Sequence, residues 1–160
     1  TWTSAELLDH GPLVVALFRG DWCPYCDLTM AALEEARPAI EALGATAVGI
    51  MPERRDHIAG TAARRGIGYL LLSDPANAYA RTCGLAYDLS PGHVRLHRER
   101  GRDFPALHRD TVWRLPVPAV FVVEPDARVV FAFSDADPSR WADPEELLTS
   151  LQALRDAHAL

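Results

Sequence analysis

Phe18-Arg19-Gly20-Asp21-Trp22-Cys23-Pro24-Tyr25-Cys26 is the stretch on which the reading of this chain turns. An apolar run from Leu13 to Phe18 reads as a buried strand entering it, and an apolar-periodic helix leaves it from about Asp27 to Leu43. Strand, Cys-x-x-Cys and helix in that order place a thiol at a helix N-terminus. Unpaired backbone N–H groups and the positive end of the helix dipole favour thiolate there, and the thiolate is the nucleophile. The two-residue spacing lets one sulfur attack a substrate while the other resolves the product as an intramolecular disulfide.

Outward from the motif, strands and helices alternate, the pattern of an α/β domain with a central mixed sheet flanked by helices. Gly44 caps the first helix before a strand at Ala45 to Ile50, and Pro38 inside that helix is expected to kink or divide it. Pro52 is expected in the first turn of a helix that runs to about Arg65 and stops at Gly66. Tyr69 to Leu72 is a short strand, and Ser73-Asp74-Pro75 reads as cap and start of a helix carrying Ala78, Tyr79 and Cys83. Ala119 to Val123 and Arg128 to Phe133 flank the turn sequence Glu124-Pro125-Asp126-Ala127 and read as a hairpin. Asp143-Pro144-Glu145-Glu146 opens a last helix with Leu147, Leu148, Leu151 and Leu154 as its apolar stripe. Residues 84–114 break the pattern. They hold six arginines, His93, His97 and His108 over sparse apolar positions, so an irregular insertion is expected, either a solvated loop with a short helix or a functional lid.

The 160 residues, 49% hydrophobic and 24% charged, read as a single globular domain. A net charge of −6 and a pI near 5.4 argue against a nucleic-acid or membrane-surface binder. No run approaches the length of a membrane span and no signal segment opens the chain, so the cytoplasm is the expected compartment. All sixteen basic residues are Arg, which rules out a Schiff-base lysine. Three cysteines are a poor count for a disulfide framework. No Gly-rich phosphate loop and no Ser-His-Asp set is present, and no cofactor is expected.

With Leu72-Ser73-Asp74-Pro75 and Leu115-Pro116-Val117-Pro118-Ala119-Val120-Phe121-Val122 beside the opening stretch, the chain resembles the thioredoxin fold. Within it, the chain is similar to the peroxiredoxin-like branch of the alkyl hydroperoxide reductase/thiol-specific antioxidant family. The resemblance covers nearly the whole chain. It implies a thioredoxin-like three-layer sandwich, a cysteine-dependent oxidoreductase, a hydroperoxide or disulfide substrate, and an external thiol reductant of thioredoxin or glutathione type. A homodimer is compatible with it. The family usually carries a hairpin before the first strand, a place held here by Thr1 to Gly11, as in a chain lacking an N-terminal segment.

The resemblance leaves the attacking sulfur open. Cys23 stands where thioredoxins and glutaredoxins carry their attacking cysteine, and Cys-Pro-Tyr-Cys is also the common glutaredoxin motif. The peroxiredoxin pattern is Thr-x-x-Cys, which would make Cys26 the peroxide-attacking residue and put Cys23 in place of the threonine. Helix geometry favours Cys23 as nucleophile and Cys26 as resolving thiol, because the more N-terminal sulfur is typically the exposed one. Arg19, at the end of the same strand, is placed to stabilise a thiolate and bond a peroxide oxygen, and Trp22 to wall the sulfur from water. Asp21 is a candidate proton carrier, although a carboxylate works against a nearby thiolate. Val117-Pro118 matches the position of the fold's cis-proline, where Val117 would offer backbone N–H and C=O groups to an extended substrate.

Other polar and aromatic residues read more plainly. Cys83 is taken as a small buried hydrophobe, with a remote resolving cysteine as the alternative. Trp113 and Trp141 read as packing residues. His93 and His97, spaced H-x3-H, and His108 allow a Cys/His metal site to be drawn with the Cys-x-x-Cys, but these histidines read as solvated and no metal is expected. Three functions follow in order: peroxidase, thiol–disulfide oxidoreductase, and a metal-binding or partner-docking thioredoxin-like module.

Overall fold

The computed structural model describes residues 2–158. Its centre is β1 (Leu13–Leu17), buried along its whole length. β1 pairs in parallel with β2 (Thr46–Met51) and antiparallel with β6 (Ala119–Val123), so that Val15 faces Val48 on one side and Phe121 on the other. β3 (Leu70–Ser73) extends the sheet in parallel beside β2, and β7 (Val129–Ser134) closes it antiparallel beside β6, giving the order β3-β2-β1-β6-β7. The expected hairpin is β6–β7.

Side chains alternate across the sheet, so each strand feeds two cores. Val14, Ala16 and Phe18 face one layer, where α2 (Pro24–Ala42) contributes Met30, Leu33 and Ile40 and α7 (Pro144–His158) contributes Leu147, Leu151 and Leu154. Leu13, Val15 and Leu17 face the other, covered by Leu8 of α1 (Ser4–Leu8) and Ala80 of α4 (Ala78–Thr82). Helices on both faces of a mixed sheet make the α/β three-layer sandwich.

α3 (Arg55–Arg65) ends where expected, at Gly66 in the left-handed region with φ 64°. It begins three residues beyond Pro52, because the Asp74 N–H donates to the Met51 carbonyl and keeps the chain extended to the end of β2. Pro38 does not divide α2. Leu33 and Ile40, on either side of it, are both buried in the core, and Arg37 bridges Glu34 and Glu41 at 2.9 Å each across the proline turn. After β3 a short 3-10 turn (Pro75–Asn77) leads into α4.

Residues 84–114 are more ordered than expected. They hold β4 (Ala86–Asp88), α5 (Pro91–Glu99) and α6 (Phe104–His108), and β4 pairs antiparallel with β5 (Arg114–Pro116) in a separate ribbon.

Candidate active site

The chain leaves the sheet just after β1: the Phe18 N–H still bonds the Ile50 carbonyl at 2.9 Å, and the next residues turn away. The Cys23 N–H closes that turn on the Gly20 carbonyl at 3.2 Å. Gly20 has φ +141°, and a Cβ built there would collide with Glu53 Oε1 and Trp22 Nε1, so this corner requires glycine. Cys23 is then the N-cap of α2, Pro24 its first residue, and Cys26 lies in the first turn. The helix therefore starts three residues earlier than its periodicity suggests, which puts both sulfurs at its positive end.

Neither sulfur is exposed: Cys23 is 2% and Cys26 4% accessible, so exposure does not single out the attacking thiol as expected. Hydrogen bonding sets the two sulfurs apart. The Cys26 thiol donates to Cys23, and with the amides of Cys26 and Tyr25 and the Arg19 charge this lowers Cys23 to about 6 against its burial. The same bond, together with burial, pushes Cys26 far above the usual thiol range. The Cys26 sulfur also accepts the Arg19 N–H at 3.3 Å. At neutral pH the pair thus holds one negative charge, on Cys23, with the second proton kept on Cys26.

Trp22 covers the loop. Its ring lies 4.8 Å from Phe104 and 5.2 Å from His97, and the Arg19 and Arg102 guanidinium carbons lie 5.2 and 4.8 Å from its centroid. Phe104 stacks on His108 and touches Trp113, so residues 84–114 dock on the site through an aromatic cluster. His97 and His108 are buried there, contrary to the solvated reading, and only His93 is exposed. Burial pushes both imidazoles down to about 4, helped at His97 by the Arg102 and Arg19 charges. The buried nitrogens of His108 have no hydrogen-bond partner. Trp113 and Trp141 are packing residues as read, Trp141 stacking on Phe18 at 5.9 Å.

Beneath the loop lies a carboxyl pair. Asp21 Oδ2 is held by His57 at 2.9 Å, Thr61 at 3.0 Å and Arg64 at 3.0 Å. Against its burial, these partners hold Asp21 below the usual carboxylate range. Glu53 is completely buried and accepts the Asp21 N–H at 3.0 Å. Burial pushes it up to about 8, with the negative charges of Asp21 and Cys23 adding to the rise. Asp21, Glu53 and His57 bring ligand atoms within 4.8 Å of one another. Thr61 and Arg64 already share Asp21 with His57, so the trio reads as a charge network rather than a cation cage.

The AhpC/TSA family profile matches residues 1–132. The chain belongs to that family. Three solved peroxiredoxins share its fold: peroxidoxin BcpB from Mycobacterium tuberculosis (TM-score 0.70, 20% identity, covering 94% of this chain and 84% of that one), peroxiredoxin Q from Xanthomonas campestris (0.69, 17%, 91% and 80%) and a cysteine-to-serine mutant of PrxQ from Xylella fastidiosa (0.67, 16%, 96% and 94%). No curated protein sequence matches it significantly. Family membership makes this AhpC/TSA protein a peroxiredoxin-like, cysteine-dependent oxidoreductase acting on hydroperoxides with an external thiol reductant.

Two further expectations do not hold in this AhpC/TSA protein. The Val117–Pro118 bond is trans, and it carries the chain straight from β5 into β6. The Val117 N–H, expected to meet a substrate, donates to the Leu85 carbonyl at 2.8 Å instead. Cys83 is exposed rather than buried, because α4 is a single turn that buries Ala80 and leaves Cys83 at its end before Gly84. Glu53 was missed altogether. It sits beside Arg54-Arg55-Asp56 and looks like part of a charged surface turn. The available signal was its place directly after a buried strand and Pro52.

Proposed function

We propose that this protein reduces hydroperoxides with Cys23 as the attacking thiolate and Cys26 as the resolving thiol. The observation that carries the assignment is the hydrogen bond from the Cys26 thiol to Cys23, which keeps Cys23 ionised near neutral pH. The thiolate attacks the terminal peroxide oxygen, the O–O bond breaks, and Cys23 becomes a sulfenic acid. Cys26 then attacks that sulfur, water leaves, and the disulfide is cleared by an external thiol of thioredoxin or glutathione type. Arg19 lies close enough to Cys23 to add to the stabilisation of its charge, and Trp22 keeps bulk water away. The reading places the protein in a reducing compartment, the cytoplasm, and a homodimer is compatible with it. Among the described residues no helix is long and apolar enough to cross a membrane.

The test is rapid-mixing peroxide consumption with mass mapping of the thiols. In a Cys26→Ser variant one equivalent of peroxide should leave a sulfenic acid on Cys23, trapped by a cyclic diketone. Cys23→Ser should consume peroxide no faster than free cysteine. A sulfenic acid on Cys26 in Cys23→Ser would reverse the assignment. Thiol–disulfide exchange is the second reading, favoured by the complete Cys-Pro-Tyr-Cys. A wild-type protein inert to peroxide that forms a mixed disulfide on Cys23 would establish it instead.

A further inference from the structure

Glu53 is a buried titratable group that the thiol chemistry above leaves unused. Its Oε1 accepts one amide N–H, its Oε2 has no hydrogen-bond partner, and among the described residues no cation pairs with it. A carboxyl in that setting resists ionisation. Its Oε1 and the Trp22 indole nitrogen both border the space left by Gly20, on the loop that ends at Cys23. The Trp22 Nε1 and the Arg19 Nε are also buried without partners. Two unpaired donors and one unpaired carboxyl oxygen therefore belong to residues that neighbour or act on Cys23. Buried polar atoms are rarely left unpaired, and such exceptions ask for a ligand or a catalytic role.

The charged groups around Glu53 are mostly committed elsewhere. His57 and Arg64 of α3 bind Asp21. Asp74, after β3, accepts the Tyr79 and Ala80 amides. Arg102 and His97 of the 84–114 segment lie against Trp22. Asp21 and Cys23 are the anions that act on Glu53, and both favour its neutral form.

We propose that Glu53 is the general acid of the peroxide step, giving its proton to the oxygen that leaves as the O–O bond breaks, with the Trp22 and Arg19 N–H groups as fixed donors to the peroxide. This rests on the peroxidase reading. The Cys23 thiolate forms the S–O bond and the O–O bond breaks. The departing alkoxide takes the Glu53 proton as an alcohol, leaving Cys23 sulfenic acid and a Glu53 carboxylate. Cys26 then forms the S–S bond, hydroxide leaves with the Cys26 proton as water, and Glu53 regains a proton from solvent. Both sulfurs are oxidised by one electron each and the peroxide is reduced by two. A carboxyl held at about 8 is protonated at neutral pH and still acidic enough to serve as a donor.

The experiment compares peroxides with poor and good leaving groups. With an alkyl hydroperoxide, the wild-type rate should rise as Cys23 ionises near pH 6 and fall as Glu53 loses its proton near pH 8. Glu53→Gln should lose the alkaline fall and react roughly 100-fold more slowly. With a peracid, whose leaving carboxylate needs no proton, Glu53→Gln should lose only a small part of the rate, and Glu53→Asp should recover part of the alkyl hydroperoxide rate. Equal losses with both oxidants would reduce Glu53 to a structural role and overturn the proposal, as would a wild-type profile with no fall near pH 8, which needs no variant to fold. Wild-type protein inert to both oxidants would sink the peroxidase reading itself.

Discussion

At the scale of single residues the site is a question of where one proton sits. Cys23 and Cys26 share it, and the hydrogen bond settles it on Cys26. Replacing Cys26 with alanine removes that donor while leaving the helix N-terminus and Arg19. The midpoint of Cys23 alkylation against pH should then rise from about 6 by a unit or more. A midpoint that stays near 6 would mean that the backbone and Arg19 suffice. Cys26→Ser keeps a hydroxyl donor and should shift less. Both cysteines were legible in the sequence because their spacing is itself the chemistry. Glu53 was not, because what matters is the fold that closes over it and the glycine that makes room for it.

At the scale of elements, α5 and α6 carry a pH sensitivity. His108 is buried with an imidazole near 4 against an ordinary 6.5, so the unfolded chain binds that proton first as pH falls. Stability is complete above about 6.5 and is lost progressively down to about 4, a loss on the order of 2–3 kcal/mol. Thermal unfolding of the wild type against pH should show this decline, and His108→Phe, which preserves the ring stack on Phe104, should make it shallower, with His97 keeping its own share. An unchanged slope would place the acid sensitivity elsewhere. The helices α2 and α7 were readable from apolar periodicity and capping residues. The 84–114 segment was not, because the rings that bury it include His97 and His108, which count as polar in any sequence pattern.

At the scale of the molecule, the dithiol belongs to the larger of two cores: Cys23 and Cys26 share a cluster with Met30, Phe18 and the leucines of α7. Leu151 is 1% exposed in that cluster, and Leu151→Ala should cost about 3 kcal/mol, seen as a Tm lowered by roughly 6–12 °C. A loss below about 1 kcal/mol would show that α7 can close over the gap. The sheet order was less legible than the strands, since β6 reaches its place beside β1 only after the long 84–114 segment returns. That return also bears on what can reach the dithiol. The Val117 N–H is spent on Leu85, and both sulfurs are almost wholly enclosed. On the peroxidase reading, small hydroperoxides should then react faster than bulky ones, and equal rates across hydroperoxides of increasing size would show that this enclosure sets no limit.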